Sequence, residues 1–315
     1  MAMHGLGVNI DDIKKRIRFC NYLCVAQIFL QDNFLLNRPL SFNDVKPRLL
    51  GHWGSCPGIN IAYANLKARF PEMQFILGPG HGYPALQANL YVDGDLFEQY
   101  PDATPNLHGI EYVCKNFSWP YGFPSHSSPH TPGVIAEGGE LGYSLATAYG
   151  AALGRPNKNI AVLIGDGELE TATALASLNL NKLLGTRENG QVLPILHLNG
   201  YKISAPTVYA RSSERELLQL IRGFGFDPVM VDGTNNEEFQ IALANLTPTT
   251  FIIMKTPKGY TGPKEVDGLK IEGNCAAHQV PLPKAKTDER QLRMLEDWLK
   301  SYNFKELYHE FTHDN

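Results

Sequence analysis

Apolar residues recur along this chain in two periods. Short continuous runs at 73–77, 160–164, 192–198, 228–231 and 251–255 read as strands buried on both faces. Helical spacing fills the intervals. Ile13, Ile17, Cys20, Cys24 and Ile28 form a stripe at steps of three and four, which predicts a helix over 9–36 capped by Asn9 or Asp11. Further helices are expected over 59–69, 84–92, 141–153, 168–184, 217–223, 235–246 and 287–309. Residues 93–137, rich in Pro, Gly, His and aromatics, read as a long ordered loop, because its aromatic content favours packing over disorder. Residues 264–283 read as polar and irregular. Strands alternating with helices predict an α/β fold: one doubly wound, mainly parallel sheet with helices on both faces. The expected organisation is a single domain over 1–315, with a helical N-terminal extension at 1–50 and a C-terminal helical tail at 284–315.

Several strand ends carry chemistry. The run at 160–164 stops at Gly165-Asp166-Gly167, and that at 192–198 stops at Asn199-Gly200-Tyr201. In a parallel sheet these ends share the edge where open α/β sheets bind ligands. A carboxylate and an amide oxygen there suit Mg2+, which completes its octahedron with phosphate oxygens and water. Gly165 and Gly167 allow a tight turn and close approach to a diphosphate, and the next helix aims its N-terminus at the same place. The competing reading is a plain strand–turn–helix connection with Asp166 as the cap. A third run ends in Gly78-Pro79-Gly80-His81-Gly82.

Composition narrows the class. The chain has 315 residues, 43% hydrophobic and 19% charged, with net charge −4 when histidine is neutral. That balance supports a sizeable core, and with no basic block it argues against a nucleic-acid partner. The stretch MAMHGLGVNIDDIKKRI has no apolar core of a signal peptide, and no run reaches membrane-span length. Five cysteines, an odd number, fit reduced thiols and a cytoplasmic location. Cys20 and Cys24 share a helix face and read as small buried apolar residues rather than as metal ligands.

His52, His81, His126 and His278 each sit in a Gly/Pro-rich loop. Singly, each reads as an ordinary loop residue. Together, near strand ends, they predict a cleft able to move protons near neutral pH, on an oxygen-rich substrate such as a sugar. No pair of them has local metal-ligand spacing, and no nucleophile-elbow motif is present.

Eight motifs carry a resemblance: KPRLLGHWG (46–54), GPGHG (78–82), PSH (124–126), EGGELGYSL (137–145), GDGELET (165–171), LPILHLNGYKI (193–203), TPKGYTGPKEVDG (256–268) and AHQVPL (277–282). In this order, and over nearly the whole chain, the sequence resembles the N-terminal, cofactor-binding region of the xylulose-5-phosphate/fructose-6-phosphate phosphoketolases. EGGELGYSL and HLNGYKI separate that family from transketolases. The resemblance implies thiamine diphosphate and Mg2+ as cofactors. It implies Asp166, Asn199 and the Tyr201 carbonyl as metal ligands. Gly139, Glu140 and Leu141 would approach the cofactor, beside Gly165, Gly167, Glu168 and Ile203. The four histidines would surround the reacting carbon, and Lys258 and Gln279 would line the same site.

The implied reaction is phosphorolytic cleavage of a ketose phosphate, with loss of water and capture by inorganic phosphate, giving acetyl phosphate and an aldose phosphate. Ala136, Ala276 and the pair Asn274-Cys275 are smaller than the family pattern leads one to expect. The family's second thiamine-binding domain, which supplies the cofactor-activating glutamate, and its C-terminal domain have no matching segment. Glu140, Glu168 and Glu170 fall in diphosphate-side motifs and are not assigned that role. The expectation is therefore half of a site, completed by a second polypeptide, in a homodimer or with exposed apolar surface where the partner belongs. The alternatives are a non-catalytic, cofactor-binding relative and a gene fragment.

Overall fold

The structure, a computed structural model, describes residues 7–184 and 187–312. Five strands form one parallel sheet: β1 (Gln74–Leu77), β2 (Asn159–Gly165), β3 (Gln191–Leu198), β4 (Asp227–Asp232) and β5 (Thr250–Lys255). Their order is β1-β2-β3-β5-β4, so β5 inserts between β3 and β4. A two-residue hairpin, β6 (Glu265–Val266) with β7 (Leu269–Lys270), lies within the polar segment expected to be irregular. The helices are α1 (Ile10–Phe29), α2 (Cys56–Arg69), α3 (Tyr83–Asp93), α4 (Asp95–Gln99), α5 (Leu107–Asn116), α6 (Ser144–Ala152), α7 (Asp166–Leu169), α8 (Ala172–Ser177), α9 (Val208–Arg211), α10 (Glu214–Gly223), α11 (Asn236–Ala244), α12 (Glu289–Lys300) and α13 (Phe304–Phe311).

The strand sequences dictate two layers. Along β2, Ala161 and Leu163 enter one apolar cluster, while Ile160, Val162 and Ile164 enter the other. Ile195 and Leu196 of β3 and Ile252 and Ile253 of β5 divide the same way. This is the period of two of a strand, with both faces apolar because helices cover both. The larger cluster joins one sheet face to α1, α2, α3, α5, α12 and α13; the smaller joins the other to α6, α8 and α10.

Helix α1 sits inside the larger layer, with Phe19, Leu23, Val25, Ile28 and Phe29 buried. Burying side chains of this size contributes about 1.5–3 kcal/mol each. Polar residues between them are paired internally. Asn89 of α3 donates to Asn60 of α2 at 2.7 Å, and Asn60 donates to Asn21 of α1 at 2.7 Å. This chain of amides fixes the rotation of three helices against one another. Cys20 and Cys24 are fully buried.

The expected 9–36 helix ends at Phe29, because Leu30 is extended and Asn33 and Leu36 take left-handed backbone angles. The buried Lys46 ammonium takes up the orphan carbonyls of Gln27 (2.7 Å) and Cys114 (2.6 Å), near the C-terminal ends of α1 and α5.

Three other expectations change. The irregular stretch 93–137 contains α4 and α5, the latter capped by Asn106, which accepts from the Gly109 N–H at 3.1 Å. The single helix expected over 168–184 is interrupted: α7 stops, Thr171 caps α8 by accepting from the Ala174 N–H, and a 3-10 turn over Leu178–Leu183 follows. The C-terminal helix breaks at Asn303, which is left-handed, into α12 and α13.

Candidate active site

The C-terminal ends of β1, β2 and β3 and two loops from the helical layer meet in one place. After β1, Gly78 and Gly80 let the chain turn flat. A Cβ on Gly80 would lie 2.1 Å from the Gly138 carbonyl oxygen, so segment 138 can lie across the turn only because residue 80 has no side chain. His81 follows in a 3-10 turn. The loop before α2 carries His52 and enters between two others: the Trp53 N–H donates to the Gln279 carbonyl (3.0 Å), and the Gly259 N–H donates to the Gly54 carbonyl (2.8 Å). A Cβ on Gly54 would come within 2.9 Å of the Lys258 side chain.

These turns gather the four histidines. The His52 ring centroid lies 5.0 Å from His81, 5.4 Å from His126 and 5.2 Å from His278; His81 and His278 are 5.1 Å apart. Ser55 Oγ lies 3.0 Å from His81 Nε2, and Ser125 Oγ lies 2.9 Å from His126 Nδ1. The Nδ1 atoms of His52 and His278 are buried with no protein partner among the described residues. Burial disfavours the imidazolium: it lowers His52 to about 4 and His278 to about 3, and lowers His81 and His126 too. Mutual repulsion and the nearby Lys258 charge add to this at His52. At neutral pH the cluster is a set of neutral donors and acceptors.

Below it lies a cavity of about 270 Å3, lined by His81, His278, Gly165, Asp166, Gly167, Asn199, Tyr201 and Lys258. The Asp166 carboxylate is 2% exposed. It accepts from the Gly200 N–H (2.7 Å), the Gly167 N–H (3.0 Å) and Thr207 Oγ1 (3.2 Å). Burial still raises its pKa to about 6, against these hydrogen bonds and Lys258. A buried carboxylate held above its usual range gains from a cation. Asn199 Oδ1 accepts from the Tyr201 N–H at 3.1 Å. Lys258 Nζ donates to the Tyr201 carbonyl at 2.6 Å, so a cation already sits on that oxygen; burial lowers this ammonium to about 8.

Glu168 points away from solvent. Ser144 Oγ (2.6 Å) and the N–H groups of Gly142 (3.3 Å) and Gly165 (3.2 Å) occupy its oxygens, so it braces the turn over Asp166. Leu141 and Ile203 stand at the cavity wall, 41% and 60% exposed. Gly139, Glu140, His52, His126 and Gln279 do not line this cavity. Gly139, Glu140 and Gln279 are exposed to solvent.

Sequence reasoning passes over Ser55, His197, Lys202 and Thr207, which line the cavity or hold Asp166. His197 lies on β3 two residues before Asn199, which follows the strand directly, and that spacing was the available signal. Among the described residues no group of three or more His, Cys, Asp or Glu side chains is arranged around a metal position. A wider cleft of about 710 Å3 lies beyond Asn199, lined by Tyr209, Met230, Asp232 and Lys255 and by no histidine.

The family model described as the XFP N-terminal domain matches residues 7–251 and 245–314. A probable phosphoketolase of Rhodopseudomonas palustris strain HaA2 is 47% identical over 92% of this chain and 40% of its own length. The chain belongs to the phosphoketolase family. A probable phosphoketolase of Streptomyces avermitilis is 46% identical over the same shares. The chain thus spans about two fifths of the curated phosphoketolases it matches. Among solved structures, transketolase from Campylobacter jejuni superposes with a TM-score of 0.64 at 20% identity, over 96% of this chain and 48% of that one. Transketolase from Leishmania mexicana gives 0.63 at 18% identity, over 96% and 46%. These likenesses show the doubly wound fold of this chain. Among the described residues no helix is long and apolar enough to cross a membrane.

Proposed function

We propose that this phosphoketolase-family chain holds the diphosphate and Mg2+ of thiamine diphosphate in the cavity under the histidines, and so forms half of a site that cleaves a ketose phosphate with inorganic phosphate to acetyl phosphate and an aldose phosphate. The observation that carries this reading is the meeting of four neutral imidazoles, two with an unpartnered buried nitrogen, over a cavity containing a carboxylate, an amide oxygen and a lysine. Such a donor set fits the cofactor. Asp166 and Asn199 offer hard oxygens to Mg2+, with the Tyr201 carbonyl as a third once it is shared with or released by Lys258. Lys258 and the N–H groups of the turn after β2 suit a diphosphate.

When bound, thiamine diphosphate supplies the nucleophilic carbon and the electron sink for breaking a carbon–carbon bond beside a carbonyl. The chain's own residues do the rest. His52 and His278 offer free nitrogens to substrate hydroxyl and carbonyl oxygens, and neutral imidazoles can accept a hydroxyl proton. His81, anchored to Ser55, holds its ring toward the others. The packed loops 51–58 and 256–260 keep bulk water from the cleft.

Leu141 and Ile203, exposed at the cavity wall, support completion of the site by a surface from outside these 315 residues, which would bring the cofactor-activating acid. The test is twofold. Calorimetry should show thiamine diphosphate binding that requires Mg2+. Acetyl phosphate formation from fructose 6-phosphate or xylulose 5-phosphate should appear only when the remaining phosphoketolase portion is added. Turnover by the chain alone would refute the half-site. Cofactor binding with no turnover in any mixture would favour a binding role, and absence of binding would overturn the reading.

A further inference from the structure

We propose that His197 is a positioning residue for Lys258, acting through Thr256. This inference rests on the reading of the cavity as the cofactor site. His197 lies on β3, on the sheet face turned toward α2, and is 1% exposed. Its Nε2 lies 2.7 Å from Thr256 Oγ1. Thr256 follows β5 directly and precedes Lys258 by two residues. The ring has no freedom to turn elsewhere: a Cβ on Gly58 of α2 would lie 2.0 Å from Nε2 and 2.2 Å from Cε1, so the helix backbone is laid against the imidazole edge.

Lys258 then reaches back across the gap, its Nζ donating to the carbonyls of Tyr201 (2.6 Å) and Lys202 (3.3 Å) in the turn after β3. The turns after β3 and β5 are thus joined twice, by His197–Thr256 at the sheet edge and by Lys258–Tyr201 beyond it. The backbone adds the Thr256 N–H to the Leu198 carbonyl at 3.2 Å. A lysine head rides on a flexible four-carbon stem, so its placement depends on how firmly its backbone is held. His197 supplies that firmness from below, in the same strand that presents Asn199. A histidine suits the task because a neutral imidazole bonds a hydroxyl without bringing a charge next to the Lys258 ammonium.

A double-mutant cycle tests the link. Calorimetry of thiamine diphosphate with Mg2+ is run on wild type, Thr256→Val, Lys258→Met and the double variant. Losing a hydrogen bond that positions a charge is expected to weaken binding about fivefold in Thr256→Val. Because Thr256 acts through Lys258, the double variant should bind within about twofold of Lys258→Met alone. Thr256→Ser, which keeps the hydroxyl, should stay within about twofold of wild type, a rescue that a packing role of the methyl group would not give. Wild-type affinity in Thr256→Val, or single effects that multiply in the double variant, would overturn the inference while leaving the cofactor site standing. Failure of wild type to bind would overturn both. If Thr256→Val does not fold, His197→Leu, which has no atom to bond the Thr256 hydroxyl, takes its place in the cycle with the same coupled outcome expected.

Discussion

Gly58→Ala sets two effects of opposite sign against each other. Gly58 lies in α2, where alanine is worth about 1 kcal/mol more than glycine on helix propensity alone. Its added methyl would meet three atoms of one ring, His197 Nε2 at 2.0 Å, Cε1 at 2.2 Å and Cδ2 at 2.9 Å. The ring must move by about 1.5 Å to reach ordinary contact, and it is buried between a sheet and a helix. Overpacking of this kind costs about 1–3 kcal/mol, and a displaced Nε2 that loses Thr256 costs about 1–3 kcal/mol more. The steric side wins, and we expect a net loss of about 1–5 kcal/mol in urea unfolding. Gly150→Ala is the internal control: in α6, its Cβ would meet nothing within 4 Å, and the variant should gain about 1 kcal/mol. Adding His197→Ala to Gly58→Ala removes the clash, so in that background the alanine should become stabilising. A Gly58→Ala chain more stable than wild type would refute the argument from close approach.

Three further outcomes are expected. His52 and His278 accept protons in the folded chain only near pH 4 and 3, whereas unfolded histidine does so near 6.5; the unfolded state therefore binds more protons in between, and stability, full above about pH 6.5, should fall as pH drops toward 4, with a shallower slope in His52→Gln by urea midpoints across pH. Lys46→Met strips the carbonyls of Gln27 and Cys114 of their donor and should cost about 2–4 kcal/mol of stability by the same measurement, with no gain from the apolar replacement. Asp166→Ala should weaken Mg2+-dependent thiamine diphosphate binding by about tenfold or more in calorimetry, and a chelator should do the same to wild type.

The sheet was legible because fully buried parallel strands leave unbroken apolar runs, and those at 160–164 and 192–198 lie inside β2 and β3. Helix ends were less so. Leu36 adopts a left-handed angle that its side chain disfavours, so that break is set by packing, whereas Asn303 is of the residue type that enters this region most readily after glycine and was a readable stop. Helix α5 had a readable signal, Asn106 as cap and Ile110, Val113 and Cys114 at helical spacing, but the aromatic and proline-rich flanks hide it. In the site, Gly/Pro-rich loops pointed to His52, His81, His126 and His278, none of which falls on an apolar helix or strand face in the sequence pattern. His197 escaped notice for the opposite reason: within an apolar strand it reads as a core position, and its partner, the Thr256 hydroxyl, lies across the sheet.

The burial of α1 has a consequence for how the chain is made. Phe19 stacks on Phe304 with ring centroids 5.0 Å apart, and Lys15 is paired with Glu310, 295 residues downstream. At translation rates of about 5–20 residues per second, α1 leaves the ribosome roughly 15–60 s before α13 exists to cover it. During that interval Phe19 has no α13 to stack on, and its helix cannot finish burying its apolar face. Completion of this layer thus waits for the synthesis of α13, and a nascent chain stalled before α13 should be the form that chaperones hold.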